Sequence, residues 1–291
     1  PARRRRRSGG RGEARVNGPL RWHPDDAAAA AGFRLRLGER RFRGRAGARR
    51  GGAAGSSLEF FDFRDYTVGD DLRHVDWRGY ARTEQLRVRL HEEEVAPYVD
   101  VVVDGSRSLG VTPAKERGAQ ALLAAFVQWS QQEGCAARVL RLGGGAEDPA
   151  TFAFDDDAPA GAPPAPVVPL RRAGARILLT DGLWPGDPAP LLHTLLGGAS
   201  QFVCVQLLDP WELEPPVGDA LLLRDVESGA RAELLFDAGT VARYRERLQR
   251  LCTSLRTLVV GGGGSHVVVA AAPLATMAAG ELTTAMVVEP A

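Results

Sequence analysis

Val99-Asp100-Val101-Val102-Val103-Asp104-Gly105-Ser106-Arg107-Ser108 is the stretch on which the reading of this chain turns. A β-branched run that stops at an acid reads as a buried strand ending at Asp104. Downstream, Arg176 to Thr180 stops at Asp181 in the same way. Between them the pattern predicts a helix over 114–132, a short strand over 136–142, a further strand over 151–154 and a loop over 155–169. Beyond Asp181 it predicts a helix over 188–196 and a strand over 201–208. Residues 221–223 and 232–235, joined through Glu227-Ser228-Gly229, read as an antiparallel hairpin. Val241, Tyr244, Leu248, Leu251 and Leu255 recur at helical spacing, so 240–258 is expected to be an amphipathic helix, ended by Gly261 to Gly264. Val267 to Gly280 reads as a strand followed by a helix.

Strands alternating with helices imply an α/β fold with a mostly parallel sheet. In such sheets ligands bind outside the carboxyl ends of the strands, so Asp104 and Asp181 are expected to face a shared pocket. Asp104, Ser106 and Ser108 have the spacing Asp-x-Ser-x-Ser, which aims one carboxylate and two hydroxyls at one point. Oxygen donors of this kind suit a hard cation such as Mg²⁺. The spacing resembles the metal-ion-dependent adhesion site of von Willebrand factor A domains, with Asp181 matching that site's distal aspartate. The resemblance implies a von Willebrand factor A-like, Rossmann-type sheet flanked by helices, and Asp104, Ser106, Ser108 and Asp181 as metal ligands. That site also uses a threonine from an intervening loop. Residues 155–170 contain no Thr or Ser; Thr151 and Thr180 are the nearest, and neither is expected in the role. Whether Asp155, Asp156 or Asp157 replaces it stays open. Asp-Gly-Ser after a strand is also an ordinary turn whose Asp caps backbone donors, so hydrogen bonds within a vestigial site are the alternative to a metal.

Composition bounds the rest. The chain has 291 residues, 44% hydrophobic and 25% charged, ample for a buried core. Residues 1–50 hold 16 Arg against four acids, a net of +12, while the whole chain carries +1. A basic arm thus precedes an acidic body, and Lys115 is the only lysine. Residues 1–31, with Arg3 to Arg7, are expected to be disordered. Cys135, Cys204 and Cys252 are odd in number and sit in apolar runs, so they read as reduced core residues in a reducing compartment, the cytoplasm. No membrane span is expected: the longest apolar run is broken by Pro273 and falls short of roughly 20 residues. No apolar segment follows the arginines, so no secretory signal is expected.

Residues 58–98 are dense in charges and aromatics. Glu59, Arg64, Asp65, Tyr66, Gly69, Asp70, Asp71, Leu72, Arg73, Asp76, Trp77, Ala81 and Arg82 closely resemble the hallmark of the domain of unknown function 58 family. Asp209-Pro210-Trp211-Glu212, Asp225 to Gly229 and Tyr244-Arg245 extend the likeness, which covers roughly residues 33–260. Three regions are therefore expected: a basic arm (1–31), the hallmark segment packing on the core (32–98), and a von Willebrand factor A-like domain with a β-hairpin insertion (99–291). The hallmark reads either as a structural clasp of Arg–carboxylate pairs or as a recognition surface with Trp77 and the arginines as anchors. Other members carry membrane helices ahead of the hallmark; this chain resembles a shorter, soluble type.

The resemblance implies a non-enzymatic interaction module, partner of a MoxR-type AAA+ ATPase in chaperone-like assembly, with the client unspecified. A metal-dependent hydrolase or phosphotransferase is the first alternative, but outside the Asp155 to Asp157 run the chain has no Asp-x-Asp, and it has no His-Glu-x-x-His, Gly-x-Ser-x-Gly or phosphate-cradling Gly-x-x-x-x-Gly-Lys. Nucleic-acid binding through the Arg arm is the second. The acidic body and the lack of interleaved aromatics argue against it, in favour of a solvated tail or an arm docked on acidic protein.

Overall fold

The computed structural model describes residues 23–37, 59–67, 75–92, 98–157, 161–172, 174–218, 220–226 and 229–291. They fall into two units, one of residues 1–38 with 97–291, the other of residues 39–96. In chain order the elements are α1 (Pro24–Ala31), β1 (Phe33–Leu35), β2 (Glu59–Asp65), α2 (Trp77–Thr83), β3 (Arg87–Glu92), β4 (Tyr98–Val103), α3 (Pro113–Gln132), β5 (Ala136–Arg141), β6 (Ala146–Glu147) and β7 (Ala175–Thr180). They continue with α4 (Ala189–Leu196), β8 (Gln201–Leu208), α5 (Pro210–Leu213), β9 (Ala220–Arg224), β10 (Arg231–Leu235), α6 (Ala238–Gly261), β11 (Ser265–Ala270), α7 (Leu274–Met277) and β12 (Val288–Pro290).

The larger unit is built on a six-stranded sheet in the order β11-β8-β7-β4-β5-β6. All neighbours run parallel except β6, which is antiparallel to β5. Counted from the first core strand, this is the doubly wound order 3-2-1-4-5-6 expected of a Rossmann-type α/β fold. The strand period of two explains the two cores. Val99, Val101 and Val103 of β4, with Ile177 and Leu179 of β7, join Leu122, Phe126 and Trp129 of α3 on one face. Val102, Leu178 and Cys204 join Leu191, Leu192 and Leu195 of α4 and Leu255 and Val259 of α6 on the other. α3 starts sharply because Thr112 accepts the Lys115 N–H and Pro113 occupies the first turn.

Three charges enter the second face in register: Asp100 lies opposite Arg138 on one side and Arg176 on the other. Arg138 grips Asp100 with two hydrogen bonds, 2.7 and 3.0 Å. Arg176 is almost fully buried and donates to the Leu195 and Gly197 carbonyls at the end of α4. A cation there meets the negative end of the helix dipole.

Several expectations are corrected. Pro24–Ala31, expected within a disordered arm, is a helix, because its alanines offer an apolar face to α3 and α7. Trp129 Nε1 donates to Ala30 O at 2.8 Å, and buried Asp26 accepts from Arg117 Nε at 3.0 Å and from Leu274 N–H at 3.2 Å. Arg3 to Arg7 lie outside the described residues. The stretch 32–98 is divided: β1 pairs with β12 (Phe33 with Pro290) in the larger unit. Residues 151–154 form no strand; the short edge strand is β6, and Phe152 and Phe154 instead pack edge to face. On α6 only Val241, Leu255 and Val259 are buried, while Tyr244, Leu248 and Leu251 are half-exposed. The cysteines are free, but Cys252 is only half-buried.

In the smaller unit β2 and β3 pair antiparallel, with an irregularity between Phe60 and Asp62. Val75 bridges to Val88, and both are buried. Among the described residues no helix is long and apolar enough to cross a membrane.

Replacing Asp26 by Ala should strand the Arg117 guanidinium and the Leu274 N–H. A loss of about 2 kcal/mol is expected, the usual cost of unsatisfied buried partners, read as a lower urea midpoint with unchanged slope.

Candidate functional site at the strand tips

β4 and β7 are neighbours, so their last residues bring Asp104 and Asp181 to the same end of the sheet, as expected. Asp104 N–H donates to Leu179 O at 2.9 Å, which locks the two tips together. The carboxylates then face different ways. Asp104 lines a cleft of about 320 Å³ with Ser106, Arg141, Asp156, Asp157 and Trp184. Asp181 does not line it; it is 1% exposed and points to α3 and α5. The shared pocket is therefore corrected to an open cleft at Asp104 and a closed polar chamber at Asp181.

Each carboxylate is already engaged. Asp104 Oδ1 accepts the Ser106 N–H at 3.1 Å; Oδ2 accepts Thr180 Oγ1 at 2.8 Å and Trp184 Nε1 at 2.9 Å. The turn and the strand tip thus supply the donors that a capping aspartate needs. Thr180, not expected at the site, is there because strand alternation puts its hydroxyl on the same face as Asp104 at the adjacent tip; Thr151 lies away, on Asp148 O. Ser106 and Ser108 hydrogen-bond to each other at 2.8 Å. Asp181 Oδ1 accepts the Leu183 N–H at 3.1 Å, and Gly182, at φ +68°, makes the turn that returns this donor. Asp181 Oδ2 accepts from Lys115 Nζ at 3.1 Å, and the same ammonium donates to Glu212 at 2.9 Å. Lys115 is fully buried.

The electrostatics follow. Burial, then the charge of Asp181, pushes the Asp104 carboxyl above the usual carboxylate range. Burial likewise raises Glu212, against the pull of Lys115. Behind Asp181, Gln206 Nε2 donates to Asp181 O at 2.8 Å, and Gln206 Oε1 pairs with His266 Nε2 at 3.1 Å. Burial, then Arg256, lowers His266 to about 4.

Of the three aspartates in the following loop, Asp156 is the one whose backbone pairs with the Asp104 turn. Its backbone bridges Ser106, but its carboxylate goes to Arg141 Nη1 at 2.8 Å. Arg141 also grips Glu147 with two bonds and stacks on Phe152 at 4.3 Å. A Cβ on Gly105 would strike both Arg141 and Asp156, so this pair can cross the loop only over a glycine.

The residues expected to hold Mg²⁺ do not fit it as arranged. Three donors occupy Asp104, and an ammonium occupies Asp181. Unit charges at 4 Å repel by about 4 kcal/mol in an effective dielectric of about 20, and a divalent ion doubles that. Lys115, Trp184, Thr180, Arg141, Asp156 and Glu212 belong to the site. The signal for Lys115 was its uniqueness in an arginine-rich chain.

The hallmark residues lie in the smaller unit. Glu59 and Arg64 sit on β2 opposite Glu92 and Val88; Gly69, Asp70, Asp71 and Arg73 lie outside the described residues. Tyr66 N–H bonds Leu86 O. Asp76 is buried at the start of α2, its carboxylate lying over Gly79. Trp77 is 53% exposed, with Tyr80 against its ring edge, and Arg82 is exposed.

A histidine held at about 4 binds its proton less readily than in the unfolded chain, at about 6.5. Between those values the unfolded state takes up more protons, so stability falls as pH drops from about 6.5 toward 4. His266→Gln should flatten that part of a urea-midpoint profile.

Residues 62–145 match the family described as "Protein of unknown function DUF58". Uncharacterized proteins of Mycobacterium bovis and Mycobacterium tuberculosis are each 27% identical over 208 residues, 63% of this chain. The chain spans 65% of the length of these curated relatives. A solved structure, the conserved hypothetical protein BatB from Bacteroides thetaiotaomicron, is 15% identical, with a TM-score of 0.35 over 61% of this chain and 92% of that one. An aerotolerance-related membrane protein from Bacteroides fragilis is 14% identical, with a TM-score of 0.28 over 53% and 89%. The matched segment, Asp62 to Gly145, takes in β3, β4 and the Asp104 turn, and it matches the family that the charged hallmark resembles.

Proposed function

We propose that this chain is a non-enzymatic, von Willebrand factor A-like interaction module, working in the cytoplasm as the partner of a MoxR-type AAA+ ATPase in chaperone-like assembly. The ATPase enters through the family resemblance. The observation that carries the binding role is the β9–β10 ribbon. It leaves the sheet just beyond the tip of β8 and holds Leu222 66% and Leu235 56% exposed. A two-stranded ribbon gains little stability by itself, and large apolar side chains held in water mark contact surfaces.

The Asp104 cleft suits recognition better than turnover. Its carboxylate is tied to three donors, and Arg141 is committed to Glu147 and Asp156. General base or nucleophilic work calls for a group free to exchange a proton with a substrate. Trp184 and Arg141 at the cleft are residue types that anchor protein interfaces.

The test is binding of the full chain to a purified MoxR-type ATPase by surface plasmon resonance. Leu222→Glu together with Leu235→Glu should weaken binding at least tenfold, with an unchanged circular dichroism spectrum. Equal affinity of the wild type and this variant, or no affinity in either, would refute the proposal.

A further inference from the structure

We infer that Lys115 is the resident cation of the strand-tip site: its ammonium does the neutralising work that a divalent ion does in an adhesion site, so the site is complete without metal. The inference rests on the fold and holds whichever partner the module has.

Three observations carry it. The first is position. Lys115 stands on the first turn of α3, directly behind the Asp104–Ser108 turn, and its Nζ lies 3.1 Å from Asp181 and 2.9 Å from Glu212. It therefore bonds the very aspartate that would be the distal metal ligand. The second is identity. Among 37 Lys and Arg side chains it is the only lysine, and it is 0% exposed. In a chain that uses arginine everywhere else, lysine stands where the cation must be compact. A guanidinium is a flat fork that pairs side by side with one carboxylate, whereas an ammonium is a point charge that divides its three donors between two. The third is the second carboxylate. Glu212 is placed by a capping box on α5: its carboxylate accepts the Asp209 N–H while Asp209 caps the Trp211 N–H. Thr112, which caps α3, donates to Asp209. The starts of α3 and α5 are thus tied to each other around the ammonium, and the chamber is built for it on both sides.

A chain-borne cation changes what the site can do. A partner's carboxylate has no metal to complete, so contact falls to the cleft side, which Arg141 and Trp184 line. Engagement then becomes insensitive to chelators and to Mg²⁺.

One lysine gives one side-chain signal, which makes the test direct. In the full chain labelled with ¹³C,¹⁵N-lysine, the ε-methylene and Nζ resonances of Lys115 are followed by NMR during titration with Mg²⁺ and with paramagnetic Mn²⁺. The expected result is no shift with millimolar Mg²⁺, no stoichiometric broadening with Mn²⁺, and one melting temperature in Mg²⁺ and in EDTA. Saturable broadening by Mn²⁺ that Asp104→Asn abolishes would place a metal beside the ammonium and overturn the inference. The readout is independent of ATPase binding, so failure here and failure of the proposed function are told apart.

Discussion

Two aspartates end adjacent parallel strands under cover of the surrounding loops, and their like charge has to be answered inside the protein. Much of the strand-tip architecture is that answer. Asp104 is met by a backbone N–H, a hydroxyl and an indole N–H; Asp181 is met by an ammonium shared with Glu212. The donors come from β7 and the loop after it, the Asp104 turn and α3, while α5 brings the second carboxylate. A buried pair of this kind adds little net stability over apolar packing, but losing one member costs about 3–5 kcal/mol. The network therefore acts mainly on geometry, allowing only one seating of α3 against the sheet.

That geometry divides the end of the sheet into a closed side and an open side. On the closed side Lys115, Asp181, Gln206 and His266 form a continuous polar row beneath the surface. On the open side the cleft presents hydrogen-bonding groups whose directions are already set by bonds to one another. Such a surface loses little freedom when a partner arrives, which favours recognition.

The fold was legible because its signals are local and repeated. Val99 to Val103 and Arg176 to Thr180 announce buried strands, and the acids that end them announce the tips. The site was half legible. Asp104 and Asp181 stand where periodicity predicts, but which atoms face them depends on contacts across long stretches of chain. Lys115 to Glu212 and Trp184 to Asp104 are such contacts, 97 and 80 residues apart. Helix α1 was missed for the same reason. Its alanine run gives weak periodicity, and its burial depends on Trp129 and Leu274 far downstream. Thr151 to Phe154 misled because alternating apolar residues also suit a segment whose aromatics pack on a neighbouring loop.

The pairing of β1 with β12 has a kinetic corollary. Phe33 and Pro290 are cross-strand neighbours in register although some 250 residues of chain separate them. Contacts that close so large a loop form late, because their entropy is lost before any packing is gained. During synthesis Leu35 must wait uncovered until Val288 has left the ribosome. Translation arrested just short of that point would release a chain with its sheet assembled and one seam still open.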